Sequence, residues 1–208
     1  MMDSLLLYNC ELCIAPIFME DNEKVWNFFN CKTTKLTDFV FLTFPAWNKI
    51  YKRRLFDNIR YPLNKYAEDA FIYCDLVYKA KGICTVSDTA YYYNKTMDNS
   101  ITHSLSDKYC IDNIESHVVV MTYLIKNKIN RETINFIMRD TYDIFIFYKF
   151  ITKERKSPKS VRKAIDKNYR SVCKLSFLHL SLKNKFIALF PVIFYHLRKI
   201  KYQILNKR

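Results

Sequence analysis

The apolar positions change period near residue 105. Before it, short apolar runs alternate with polar breaks; after it, apolar residues recur every three or four positions. MMDSLLLYN reads as the end of a helix, and CELCIAPIF (residues 10–18) as one buried strand. Residues 19–35 are polar and read as a loop. Thr37 to Phe44 makes a short apolar element that Pro45 closes, because the residue before a proline is pushed out of the helical region. Trp47 to Tyr51 reads as a compact strand or turn, and KRRLFDN as a brief helix. Over residues 66–81, Phe71, Leu76, Val77 and Ala80 accompany an acidic first turn. That pattern predicts a helix whose positive amino end faces Glu68 and Asp69. Gly82, the only glycine in the chain, is its expected cap. ICTVS and AYYYN read as two short strands.

From Ser106 onward the pattern predicts helices near 107–127, 131–153, 158–171 and 182–205. Ser157-Pro158 joins an N-cap residue to a proline at the first helical position, a helix start signal. The expected architecture is α+β: a body over residues 1–104, then a helical extension over 105–208.

Composition sharpens this division. Half of the 208 residues are hydrophobic and 16% are aromatic, so the chain can bury a sizeable core and wholesale disorder is excluded. Seven cysteines without a repeating frame fit a reducing compartment better than a disulfide-stapled domain. Cys10 and Cys13 form a Cys-x-x-Cys, but no second pair or histidine pair follows at zinc-site spacing. Their apolar setting favours packing over metal binding or redox work.

The net charge of +14 is concentrated at one end. Residues 1–148 carry 17 Lys and Arg against 18 Asp and Glu, whereas residues 149–208 carry 17 against 2. The near-neutral body is therefore where a site is sought, and the basic tail is where phosphate is sought. One reading of the tail is solvated helix faces packed on the body. The other is an interfacial anchor with basic residues on anionic headgroups and Phe186, Phe190, Phe194 and Leu197 dipping in. A nucleic-acid partner is not expected, since no reading motif is present. The start MMDSLLLYN lacks the apolar run of a signal peptide, and Pro191 and His196 break the longest apolar stretch. The expected location is cytoplasmic, peripheral on the inner face of a membrane.

The candidate chemistry centres on Glu68-Asp69. A carboxylate at a helix start is ordinarily a cap; the functional alternative is a general base that takes a proton from an attacking hydroxyl. The neighbourhood favours the second. WNKIY lies upstream (Trp47, Asn48, Lys49), followed by a basic residue, Leu and Phe (Arg54, Leu55, Phe56), then IRYPLNKYAED and, downstream, YYYN and NSIT (Asn99, Ser100, Ile101, Thr102). Together these segments, across roughly residues 1–125, resemble the carboxyl-terminal portion of family 2 glycosyltransferases, the GT-A-fold enzymes of bacterial surface polysaccharide synthesis.

The resemblance implies sugar transfer from a nucleotide-sugar donor to a glycan or lipid-linked acceptor. It implies Asp69 as catalytic base with Glu68 in support, and Trp47, Asn48, Lys49, Asn99 and Ser100 binding substrate. It also implies a divalent metal, Mn or Mg, held against the donor diphosphate by an Asp-x-Asp in a preceding half of the domain. This chain contains no Asp-x-Asp. The expectation is a truncated or split transferase whose donor-binding half lies on a separate chain, or a non-catalytic remnant or subunit docking on a membrane or partner. Glu20-Asp21-Asn22-Glu23 reads as a surface loop. His103 reads as a turn histidine, with a diphosphate or metal ligand as the alternative. Tyr91 to Tyr93 divide between sugar stacking and core.

Overall fold

The apolar run at residues 10–18 is the spine of the first unit, but it makes two strands rather than one. The computed structural model describes residues 1–20, 25–29, 44–94 and 105–197, with only the backbone of 26–29. Strand β1 (Leu12–Ile14) and strand β2 (Ile17–Glu20) are separated by Ala15-Pro16 and lie at the centres of different sheets. Pro16 has no N–H to continue a ladder, and its carbonyl instead accepts from Tyr91 N at 2.9 Å. Each strand has an antiparallel neighbour and a parallel one. β1 pairs with β4 (Lys49–Tyr51) and with β5 (Ile83–Thr85), Cys13 standing opposite Ile50 and Cys84. β2 pairs with β3 (Val25–Phe29) and with β6 (Tyr91–Asn94). Strand β3 falls where a polar loop is expected: the β-prone VWNFF is hidden between polar stretches.

β1 is buried on both faces, as a strand covered from both sides must be. Leu12, Ile14 and Ile17 pack with Tyr73 and Val77 of α2 (Glu68–Lys79). The alternate residues Cys13 and Ala15 pack with Leu5 of α1 (Met2–Leu7), Cys10 and Cys84. The cysteines of the Cys-x-x-Cys are thus buried core thiols, and desolvation pushes Cys10 up to about 11.

Gly82 does not cap α2. The helix ends at Ala80 in extended conformation, and Gly82 has no positive φ. It is a close-approach residue: its carbonyl accepts from Glu11 N and Leu12 N, and a Cβ there would stand 3.3 Å from Cys10 Cα. With no other glycine available, left-handed turns fall to Asn9, Asn64, Ala67, Leu105, Lys128 and Lys156, where L side chains cost about 1 kcal/mol each.

The chain divides into two units, Met1–Leu105 and Ser106–Arg208, and its class is α+β. The second unit is helical: α3 (Asp107–Lys126), α4 (Arg131–Glu154), α5 (Lys159–Ser176) and α6 (Leu182–Leu189). Ser106 caps α3 through Tyr109 N and Asn130 caps α4 through Thr133 N. Ile114 and Met121 of α3 and Ile137 and Met138 of α4 are buried, and Phe145 stacks on Tyr169 of α5 at 3.9 Å. Pro158, not Ser157, precedes the first turn of α5; the Ser157 hydroxyl donates to the Asp107 carboxylate at 2.6 Å instead.

The long terminal helix expected over 182–205 breaks at Phe190, whose backbone leaves the helical region before Pro191 (φ −130°); residues 191–197 resume it. Phe186 meets both Phe190 and Phe194, at 5.4 and 6.4 Å, and Phe194 also meets Tyr142 at 5.6 Å, while Phe186, Phe190 and Leu197 stay exposed. Among the described residues, no helix is long and apolar enough to cross a membrane.

Candidate functional site around Asp69

Asp69 is the second residue of α2, and its carboxylate is not used to cap that helix. The N-cap position is Ala67, which has no side chain to offer and is held left-handed at φ 51°. Asp69 Oδ2 reaches back 23 residues to accept the N–H of Ala46 at 2.9 Å. Among the described residues its other oxygen, Oδ1, accepts no hydrogen bond. The carboxylate is thereby oriented through one oxygen, with the other uncommitted among the described residues.

The turn that donates to it is fixed by two buried polar residues. Asn48, 1% exposed, donates from Nδ2 to the Ala15 carbonyl at 2.8 Å, tying the turn to the break between β1 and β2. Lys49, 8% exposed, donates from Nζ to Asn48 Oδ1 at 2.7 Å and to the Pro45 carbonyl, and its ammonium lies 5.0 Å from the centre of the Tyr73 ring. The side chains of Asn48 and Lys49 therefore face inward. A buried ammonium must be ringed by acceptors to be tolerated, and this one is.

Burial raises the pKa of Asp69 above the ordinary carboxylate value; the Ala46 N–H opposes the rise, Glu68 adds to it, and Lys49 opposes it. Tyr51 and Tyr61 are pushed up by burial and also feel the Asp69 charge, so two protonated phenols stand near the acid pair. Phe56 bridges them, in edge contact with Tyr51 at 5.4 Å and 6.1 Å from Tyr61. A carboxylate raised in this way is a better proton acceptor than a solvated one.

Beside the Ala46 amide, Trp47 packs at 4.4 Å on Tyr91 and at 5.3 Å on Tyr93. Tyr93 joins the core around β1, whereas Tyr91 and Tyr92 are 38% and 58% exposed. An aromatic ledge partly open to solvent thus adjoins the residue that orients the carboxylate.

A second polar network braces the far end of α2. Glu11, 2% exposed, is paired with the Arg54 guanidinium and accepts Lys81 N at 2.9 Å. Lys79 Nζ donates to the carbonyls of Arg54 and Leu55 at 3.2 and 2.9 Å. The Arg54-Leu55-Phe56 segment, a single 3₁₀ turn (Arg53–Phe56), is thus pinned from both sides, with Leu55 buried against Ile72 and Leu76 of α2.

Of the residues expected at the site, Trp47, Asn48, Lys49, Glu68 and Asp69 are brought together around one turn and one helix start. Asn99 and Ser100, with His103, lie outside the described residues, as do Asp21, Asn22 and Glu23. Ala46, Tyr51, Tyr61, Tyr73 and Glu11 were missed by sequence reasoning. Glu11 had a signal, as the sole charge within an apolar strand; the others act through backbone or ring and had none. Among the described residues no three His, Cys, Asp or Glu groups converge to hold a metal ion. The divalent ion that the resemblance implies would be held by an Asp-x-Asp of the donor-binding half, not by Glu68 and Asp69. No family model matches the chain, and a search of curated proteins finds no match.

Proposed function

We propose that the first unit is the acceptor side of a sugar transferase similar to the family 2 glycosyltransferases, with Asp69 as its general base. The observation that carries the reading is the use made of the Asp69 carboxylate. One oxygen is held by Ala46 N–H, the other accepts no bond among the described residues, and burial raises its basicity. In the proposed reaction Oδ1 takes the proton of an acceptor hydroxyl as that oxygen attacks the anomeric carbon of a nucleotide sugar. The bond from that carbon to the diphosphate breaks, and the nucleoside diphosphate leaves with the electron pair. Lys49 and Asn48 are positioning residues that hold the turn, and Glu68 keeps the local charge negative. Trp47 and Tyr91 offer a face for the apolar side of a sugar ring. The reading requires a donor-binding half, whether on this polypeptide or on a separate chain.

The test is sugar transfer from nucleotide sugars to a lipid-linked glycan in the presence of manganese, with the donor-binding half supplied. Asp69→Asn should lower transfer on the order of 10³-fold, the usual worth of a general base, with an unchanged far-ultraviolet spectrum. Transfer unaffected by that change overturns the assignment. A second reading, a non-catalytic module that docks on a membrane, is favoured by one observation in the other unit: Leu178 and Leu182 are 85% and 87% exposed.

A further inference from the structure

The second unit carries a cationic stripe that ends in bare leucine. On α5, Ile165, Tyr169, Val172 and Ser176 are buried. The opposite side presents Lys163, Lys167, Arg170 and Lys174, all exposed and spaced four, three and four residues apart, which places them on one helix face. With Ser171 and Asp166 they line a shallow groove. Asp166 is the only acid from residue 155 to the end of the chain, and it is engaged by Lys149 Nζ at 2.8 Å.

The backbone stays right-handed through Ser176 and Phe177, so Leu178, one turn beyond Lys174, continues the stripe. Leu178 is 85% exposed and Leu182 is 87% exposed. They are not on a loose loop. Arg131 Nε and Nη2 donate to the carbonyls of His179 and Leu180 at 2.8 and 2.7 Å. Asn135 Oδ1 accepts Ser181 N at 2.8 Å, and Leu180, between the two leucines, is fully buried. The turn is thus anchored to α4 with its two leucines held outward. Leu189, Phe190 and Ile193 continue the apolar exposure at 59%, 45% and 54%.

We infer that this face docks on an anionic lipid bilayer. Lys163, Lys167, Arg170 and Lys174 lie on the headgroups, while Leu178 and Leu182 enter the boundary between headgroups and acyl chains. Charge complementarity selects a polyanionic surface, and the leucines select among polyanions. A phosphodiester backbone rewards the cations but gives nothing to leucine side chains held in water. A bilayer rewards both within a few ångströms of depth. The inference rests on the second unit alone and is independent of the transfer reaction.

The experiment is flotation of the full chain with phosphatidylcholine vesicles, with and without phosphatidylglycerol. Binding should require phosphatidylglycerol and weaken as salt rises. Changing Lys167, Arg170 and Lys174 together to Gln should weaken it on the order of 100-fold, each basic residue near the surface being worth roughly fivefold. Leu178→Ser with Leu182→Ser should weaken it at least about tenfold, because two apolar insertions are lost. All five positions are exposed, so the variants should melt like the parent by circular dichroism. As an independent readout, Leu178→Trp should shift its fluorescence to the blue on phosphatidylglycerol vesicles only. Vesicle binding indifferent to the leucines, an unshifted tryptophan, or binding to a DNA duplex without binding to vesicles would each overturn the inference.

Discussion

The two units differ in what their few buried charges hold in place. In the first, Arg53, Asp57 and Arg60 are exposed, as most charges are, while two others turn inward. Glu11 and Lys49 are buried, and each secures a backbone segment that holds α2 and its acid pair in place. In the second, Asp112 is buried with Lys108 as its partner, and most of the described lysines and arginines face water. Net charge therefore points to the wrong place when sought as a mark of chemistry. The near-neutral unit holds the candidate base, because a few buried charges fix geometry better than many solvated ones. The strongly basic unit has the makings of a surface that recognises another surface.

The comparison can be broken most severely at Asp69, where Asn should remove about three orders of magnitude of transfer while no substitution on the α5 stripe should do so. Next in size is the brace at Glu11. Arg54→Met leaves a carboxylate that is 2% exposed without its cation, which should cost about 3 kcal/mol in urea unfolding. If the cost is instead that of an ordinary surface ion pair, the inward charge of the first unit is not structural.

The second unit has an inward group of its own, and pH exposes it. His117 is buried, with Nδ1 2.8 Å from the hydroxyl of Thr141. Since that hydroxyl donates to the Ile137 carbonyl at 2.7 Å, Nδ1 is the donor of this bond. Burial pushes the ring's pKa down to about 4. An unfolded chain therefore takes up this proton first as pH falls, and stability is lost progressively from about 6.5 to about 4, by up to about 3 kcal/mol. Asp140, 3.9 Å from Nε2, is raised by desolvation and by Asp143 and works in the opposite sense. Its side chain keeps 45% of its exposure, so solvent screening makes it the smaller of the two. Comparing the melting of the parent with His117→Gln across this range isolates the histidine, and the variant should show the flatter profile.

The smallest effect concerns strain beside the acid pair. Ala67→Gly relieves a left-handed alanine at φ 51° and should stabilise by about 0.5–1 kcal/mol, measured by urea unfolding.

How much of this was legible in the chain depended on whether partners are near in sequence. The helix at Glu68–Lys79 and the first three helices of the second unit were visible because their period is strong and Ser106 and Asn130 cap two of them. The split of residues 10–18 was not, because Pro16 sits within an otherwise unbroken apolar run and only the pairing of the flanking strands separates the two halves. Strand Val25–Phe29 was lost among polar neighbours, and Gly82 was misassigned because close approach to Cys10 leaves no local mark. At the site, the identities of Trp47, Asn48, Lys49 and Asp69 were readable but their directions were not. Asn48 is aimed by Ala15, 33 residues away, and Asp69 by Ala46. Leu178 and Leu182 were passed over because a helical period does not reveal which side is left uncovered.

The measurement that tests the account most directly is a carbon-detected NMR titration of the Asp69 carboxyl in the full chain and in Lys49→Met. The account predicts a midpoint above the ordinary aspartate value of about 3.9 in the parent. It predicts a higher one when the opposing ammonium is removed. An ordinary midpoint that ignores residue 49 would contradict a base held ready by inward-turned charge.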